Sequence, residues 1–578
     1  MIDQNYVSTL PGWAAQLAVK YASHTISQFT LHGNIRDLAP YRAGGRVEFL
    51  PLTQFLDKSL FAGRDLVLHY DRAEGLTFGG NETANDFAQF LQAYQTVTGK
   101  GRETIIQVPR EPGKLFPLID RYLRTRIAER KSIALVIEYA DLIAPQSEAR
   151  YLSDADRASI IYLRNWADDP TILQADVTVC LLTEHLSRLH QDVVRNPYMA
   201  AVEIALPDRA ERLEFIRAQT AGQEWDKLSA IKVEAVAELT GGLSRVHIRQ
   251  LLAETLRHKQ QLSMKHLMLR KKELIEAECF GLLEFLQPRY TLDMVAGASE
   301  AVAELQAAAK MLREGRLDVL PMGYLICGPV GTGKTFLATC FTGEIGVPMV
   351  KLLNIRSQWQ GVTEANLQKL LAIFRAMGPL GVVIDEADTW IGDRDAAGDS
   401  GTSSRIFGTI ASFMADTANR GRVIWFLLTA RPDLLPVDIK RQGRAEEHIA
   451  LFHPATAKDR DDLFKVFVKK NDIQTKLTSL EQEYQAAGAP RLSGADIESI
   501  CIRAKKHAAL RNGKTVTASD FHKAFAQFIP PVYAEEIDYQ TMAAVMECTN
   551  RDLLPPPYRD MPRKEVAEQL RRLKALID

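Results

Sequence analysis

Cysteine is scarce in this chain, and its charges almost cancel. Six cysteines, Cys180, Cys279, Cys327, Cys340, Cys501 and Cys548, are scattered over 578 residues, and no two form a Cys-x-x-Cys pair. That spacing argues against a zinc site or a disulfide framework and suits a reducing compartment. A formal net charge of −1 gives no global reason to expect nucleic acid or an anionic membrane as partner. No uninterrupted apolar run approaches the roughly 20 residues that span a bilayer. The opening MIDQNYVSTL also lacks the basic start and apolar stretch of a secretory signal. A cytoplasmic protein is therefore expected, with neither nucleic acid nor membrane among its partners. The remaining composition, 46% hydrophobic and 25% charged, is ordinary for a globular chain. Its length exceeds one hydrophobic core, so about three or four structural units are expected.

Three glycines fall in one informative run. GPVGTGKT, Gly328 to Thr335, fits G-x-x-x-x-G-K-[ST] at every position. Apolar YLIC before it reads as a strand and FLATCFTGEIG after it as a helix, the context that the motif requires. Such glycines let successive backbone N–H groups converge on phosphates, aided by the positive end of the helix. The candidate nucleotide contacts are Gly328, Pro329, Val330, Gly331, Thr332, Gly333, Lys334, Thr335 and Phe336. Lys334 is expected to reach the β- and γ-phosphates, and the Thr335 hydroxyl to complete a magnesium shell. Fifty residues beyond Thr335, GVVIDEADTW reads as a buried strand ending in carboxylates. Asp385 is expected to hold Mg2+, mostly through water, and Glu386 to polarise the attacking water. ATP and Mg2+ are the expected ligands.

On these motifs the second half resembles the AAA family of ATPases, within the larger AAA+ group, from about residue 289 to 530. YTLDMVAG resembles the family segment that lies against adenine, which implies that role for Val295, Ala296 and Gly297. RPDLLPVDIKRQGR resembles the second region of homology, so Arg441 and Arg444 are implied to reach a neighbouring subunit's nucleotide. A guanidinium supplied in trans is typically worth about 10³–10⁵ in rate. LSGADIESI resembles the helical lid, with Gly494 and Ala495 near the nucleotide, and VTASDFHKAFAQFIP resembles the last family helix. The resemblance implies a homo-oligomeric ring, usually a hexamer, acting on a protein substrate or complex.

One departure is Ala430, where family members usually carry an asparagine that positions water. Slower hydrolysis and help from Thr429 are both open, while Asp385, Glu386 and the two arginines argue against inactivity. Trp359, Gln360 and Gly361 fall where the family has an aromatic–hydrophobic–glycine pore loop, matching except at the middle residue. A grip on polypeptide and a core tryptophan are the two readings. GDRDAAGDSGTSSRIFGT reads as a long loop, either pore-facing or without function.

The first half carries what reads as an altered repeat. VLHYDRAEGLTF, residues 67–78, parallels LICGPVGTGKTF, residues 325–336, with Leu76 in the place of Lys334. IALVIEYADLI parallels GVVIDEADTWI, with Glu138 for Asp385, Tyr139 for Glu386 and Asp141 matching Asp388. VCLLTEHLSRLHQDVVRN parallels WFLLTARPDLLPVDIKRQ, placing Arg195 on Arg441, and LSRVHIRQL parallels LSGADIESI. Four parallels in one order predict a second AAA module without working nucleotide chemistry. The phosphate cation and the water-polarising carboxylate are both gone. Arg195 is either a finger toward a neighbour or an ordinary surface arginine. FTLHGNIRDL reads as a strand and a turn at Gly33-Asn34, with no chemistry assigned.

Between the modules, HIRQLLAETLRHKQQLSMKHLMLRKKELIEAECFGLLEFL has helical periodicity. Its basic cluster, Lys265 to Lys272, is either a solvated face or a contact for an anionic partner. RKKELIEAECFGLLEFLQPRYTLDMVAG, with GDSGTSSRIFGT, resembles tandem ATPases encoded as hypothetical reading frames in cyanobacteria and chloroplast genomes. Those carry a degenerate module before an active one. It is also similar to the AAA ATPases that accompany contractile injection systems. The tail ends in an amphipathic helix with Val566, Leu570, Leu573 and Leu576 on one face, expected to dock on its own ring rather than recruit a partner.

The expected fold is α/β, with two AAA+ modules, each a parallel-sheet P-loop-type subdomain followed by a helical lid. The expected divisions are a degenerate module at 1–260, a linker helix at 261–288 and an ATPase subdomain at 289–450. A lid at 451–530 and a tail at 531–578 follow. The expected function is Mg-dependent ATP hydrolysis by the second module, driving remodelling or threading of a protein. The alternative is a nucleotide-gated assembly scaffold.

Overall fold

Long apolar runs set the centre of each sheet. IALVI, VTVCLLT, GYLIC, LGVVI and VIWFLLT are buried along their whole length, as parallel strands covered by helices on both faces require. The computed structural model describes residues 4–98, 108–225, 229–258, 262–279, 282–353, 364–391, 402–488, 491–529 and 533–577. They divide into two units, Met1–Leu274 with Thr363–Ala376, and Ile275–Val362 with Met377–Asp578. The six cysteines are buried.

The first unit contains β1 (Gln28–Gly33), β2 (Leu38–Ala43), β3 (Arg46–Pro51), β4 (Leu66–Asp71), β5 (Gly75–Phe78), β6 (Ile133–Ile137), β7 (Val177–Thr183) and β8 (Met199–Ile204). Its main sheet has the order β5-β4-β6-β7-β1-β8, and β2 and β3 form a separate antiparallel pair. Among the described residues of the main sheet, only the β4–β5 pair is antiparallel. The second unit contains β9 (Leu283–Leu286), β10 (Gly323–Cys327), β11 (Met349–Leu352), β12 (Leu380–Ile384), β13 (Val423–Thr429) and β14 (Glu447–Ala450). Their order is β14-β10-β13-β12-β11-β9, parallel except at the β11–β9 edge.

Read from one edge, the two orders correspond strand for strand. β8 matches β14, β1 matches β10, β7 matches β13, β6 matches β12, β4 matches β11, and the antiparallel edge β5 matches β9. This correspondence corrects the first sequence parallel. β10, which leads into GPVGTGKT, lies between β13 and β14, and in the first unit that place belongs to β1. VLHYDRAEGLTF folds instead as the β4–β5 hairpin, with Leu68 opposite Phe78 and Asp71 opposite Gly75. Asp71 accepts the N–H groups of Ala73 and Glu74 within the turn, at 2.7 and 2.8 Å. Gly75 leaves the turn in the left-handed region at φ 90°, where a side chain is disfavoured. Both segments are an apolar strand, a turn and Gly-x-Thr-Phe, but one continues as a return strand and the other as a helix. FTLHGNIRDL holds the phosphate-loop position and runs on into the β2–β3 pair.

The other three parallels fall on corresponding elements. Tyr139 and Glu386 follow β6 and β12 with φ of 53° and 50°, a conformation rare for residues other than glycine. Thr183 donates to Asp141 at 3.0 Å, and Thr429 donates to Asp388 at 2.5 Å. The helices Arg245–His258 and Gly494–Leu510 each pack on the helix that opens their subdomain, Arg209–Thr220 and Ala457–Lys470. Each subdomain also begins on a capping box, Asp208 with Glu211 and Thr456 with Asp459, which satisfies N–H groups left over at the helix start.

Two expectations need correction. Among the described residues of the segment 261–288 the helix covers Met264–Glu278, and the segment's end supplies β9 to the second sheet. Lys271 of the basic cluster is buried rather than solvated. The tail docks on its own unit: Ala544, Val545, Leu553 and Val566 share one core with Ile326, Leu428 and Ile449. Arg563 there donates to the carbonyls of Val545 and Cys548 at the end of the helix Ala534–Glu547.

Candidate nucleotide site

The buried strand β10 delivers its C-terminal end to the loop Gly328–Gly333, and the helix Lys334–Ile345 starts at once. Three loop glycines, Gly328, Gly331 and Gly333, have φ of 145°, 79° and 84°. A methyl group on Gly328 would collide with the carbonyl oxygen of Leu451, and one on Gly331 would stand 2.8 Å from Ser493 Oγ. The glycines are therefore required by backbone shape and by close approach. Lys334 folds over the loop and donates to the carbonyls of Gly328 and Pro329 at 2.8 and 2.9 Å. Burial pushes its ammonium down to about 8, because desolvation disfavours the charged form.

The Thr335 hydroxyl, in the first turn of the helix, lies 3.5 Å from Asp385 Oδ2 at the end of β12. A hydroxyl and a carboxylate converging beside a phosphate loop are hard oxygen donors that fit Mg2+. Glu386 follows, exposed at its left-handed kink. Thr429 gives its proton to Asp388 and accepts the N–H of Arg431 at 2.8 Å. The same threonine–aspartate pair recurs in the first unit, so at this position it builds the strand end.

The lid closes the loop from above. Ala495 N–H donates to the Gly331 carbonyl at 3.3 Å, and Ser493 caps the lid helix. Leu463 underlies both family-implied contacts: methyl groups built on Gly297 and Gly494 would lie 3.7 and 4.0 Å from it. Val295 and Ala296 are half-buried beside Gly297. Lys470 sits over the Phe336 ring at 5.0 Å.

The arginines differ in freedom. Arg441 has 60% of its side chain exposed and pairs with Asp438 at 3.6 Å. Arg444 is 13% exposed and donates to the Asp438 carbonyl at 2.6 Å. Trp359, Gln360 and Gly361, and residues 392–401 of the long loop, lie outside the described residues.

Several contacts escaped sequence reasoning. Lys351 on β11 pairs with Asp385 Oδ2 at 2.7 Å, and its one signal was a lysine inside the otherwise buried MVKL. His453 and Gln540 hold the two backbone groups of Val330, with nothing in the sequence to join them.

At the equivalent place in the first unit, a cleft is lined by Trp13, Asn34, Asp37, Ile204, Glu211 and Arg245. Here Asp37, on the segment after β1, is 3.5 Å from Arg245, and Arg245 is 3.3 Å from Glu211. Asp37 also accepts the N–H of Val246 at 3.0 Å and that of the Asn34 side chain at 2.9 Å. A carboxylate of the chain itself therefore occupies the lid-helix N-terminus, where partial positive charge favours an anion. Among the described residues that line this cleft there is no lysine, and Glu138 replaces Asp385 with its carboxyl pushed up by burial.

Three domain families match the chain in succession. Residues 4–205 match the AAA+ chaperone N-terminal Rossmann-like domain, and residues 210–280 match the AAA+ chaperone second helical domain. Residues 324–452 match the ATPase family associated with various cellular activities (AAA). Among curated relatives, the AAA domain-containing protein ycf46 of Guillardia theta is 27% identical, over 74% of this chain and 80% of that protein. The mitochondrial ATP-dependent zinc metalloprotease FTSH 3 of Arabidopsis thaliana is 31% identical, over 41% of this chain and 30% of its own length. The cell division cycle protein 48 homolog of Archaeoglobus fulgidus is 24% identical, over 69% of this chain and 58% of its own. The chain thus spans less than two thirds of the last two. No helix among the described residues is long and apolar enough to cross a membrane. A chain whose halves repeat one sheet order, and whose domains match this group in succession over more than two thirds of its length, belongs to the AAA ATPases.

Proposed function

We propose that the second unit binds ATP and Mg2+ between its phosphate loop and lid and hydrolyses the nucleotide. In this reading a ring of such chains uses the turnover to remodel or thread a protein. The observation that supports it most is the convergence of Lys334, Thr335, Asp385 and Glu386 at the ends of β10 and β12. Loop N–H groups and Lys334 would hold the phosphates, with Val295, Ala296, Gly297 and Leu463 against the base. Thr335 and Asp385 would hold Mg2+, which offsets negative charge on the phosphates. Glu386 would orient water and take its proton as the new P–O bond forms and the bond to ADP breaks. Arg441, the more exposed arginine, would reach a neighbour's nucleotide, while Arg444 braces the segment through Asp438. The scaffold reading draws support from the first unit, whose internal ion pair suits a fixed tier.

Replacing Glu386 by Gln should leave ATP affinity unchanged and lower turnover by about 10²–10⁴-fold. Turnover at the wild-type rate would remove Glu386 from the mechanism.

A further inference from the structure

The helix Ala534–Glu547, beyond the lid, touches three parts of the nucleotide machinery. Gln540, buried near its middle, accepts the N–H of Val330 through Oε1 at 3.1 Å. The next peptide of that loop residue is held from the other side, where His453 Nε2 meets the Val330 carbonyl at 2.9 Å. Beside Gln540, Tyr539 donates to Asp433 at 2.9 Å and carries the Arg431 guanidinium over its ring at 4.7 Å. At the end of the helix, Glu547 pairs with Lys440, immediately before Arg441. Lys440 also donates to the Pro432 carbonyl at 3.0 Å.

Resting on the assignment of ATP to Gly328–Thr335, we propose that this helix is a positioning element of the site. Gln540 is the positioning residue that, with His453, fixes the Val330 peptides and so the curvature of the phosphate loop. Tyr539 and Glu547 tie the same rigid helix to the segment bearing Arg441 and Arg444. A buried side-chain acceptor aimed at a loop N–H has a specific consequence. Without it, that N–H is left unsatisfied or the loop turns to find water, and the phosphate-facing N–H groups lose their alignment.

The test compares Gln540→Met, which keeps the volume and removes the acceptor, with Gln540→Glu, which keeps an acceptor oxygen. Equilibrium binding of a fluorescent ADP analogue is measured on the full-length chain, with KM and kcat for ATP. Gln540→Met should weaken ADP binding and raise KM by about threefold to tenfold, with kcat changed less than twofold. Gln540→Glu should restore both values to within about twofold of wild type. His453→Ala, at the more exposed side of the loop, should weaken binding in the same direction and serves if Gln540→Met does not fold. Wild-type affinity in Gln540→Met, or in His453→Ala where it stands in, would overturn the proposal. Equal weakening in Gln540→Met and Gln540→Glu would overturn it too, since that points to packing alone. Lys334→Ala is the control for the site itself: undiminished ADP binding there refutes the nucleotide assignment, whatever the Gln540 variants do.

Discussion

Asp37 and Arg245 are 208 positions apart in sequence and 3.5 Å apart in the fold, both almost wholly buried. A buried ion pair is expensive to assemble, and removing one partner strands the other charge. Asp37→Ala should therefore cost the first unit roughly 3–5 kcal/mol in urea unfolding, whereas the double change Asp37→Leu with Arg245→Met should cost less than the single one. A single change within about 0.5 kcal/mol of wild type would show that the pair does not hold that lid. Lys271 makes a second residue-scale prediction. Burial, with Arg212 nearby, pushes its ammonium from 10.5 down to about 8. Between those values the unfolded chain binds more protons than the folded one, so stability should rise as pH rises from about 8 to 10.5. The gain is on the order of 3 kcal/mol, and it should vanish from the pH profile of Lys271→Met. Lys334, Thr335, Asp385 and Glu386 were legible because fixed spacings place them at two strand ends. Lys351, Gln540 and the Asp37–Arg245 pair were not, because only folding selects their partners.

At the scale of elements, apolar runs announced the central strands, while the lid was read from the resemblance of LSGADIESI and from its parallel LSRVHIRQL. What followed each strand was harder to read. The turn after β4 and the loop after β10 both follow an apolar strand and run into Gly-x-Thr-Phe, and sequence similarity alone paired them. Sheet position separates them: β4 sits beside an edge, while β10 and β1 sit between the same two neighbours. This makes a direct prediction. Leu76→Lys puts lysine where the VLHYDRAEGLTF parallel lacks it, yet Leu76 pairs opposite Tyr70 in the hairpin. The substitution should add no nucleotide binding to the chain. A new saturable site in that variant, detected by equilibrium titration, would contradict the hairpin assignment.

For the whole molecule, one sheet order serves two chemistries. In the second unit, glycines keep the loop open to a ligand, and lysine, threonine and carboxylates converge on it. In the first, Asp37 meets the lid helix from within the chain, so that no external anion is needed to join sheet to lid. The repeated order was half legible from sequence: three of the four parallels marked true equivalents, and the fourth marked a hairpin. The central claim is that a single nucleotide site exists per chain, in the second unit. Its most direct test is the stoichiometry of ATP bound to full-length Glu386→Gln protein in the presence of Mg2+. The account predicts one ATP per chain, lost on adding Lys334→Ala; two per chain, or one that survives Lys334→Ala, would contradict it.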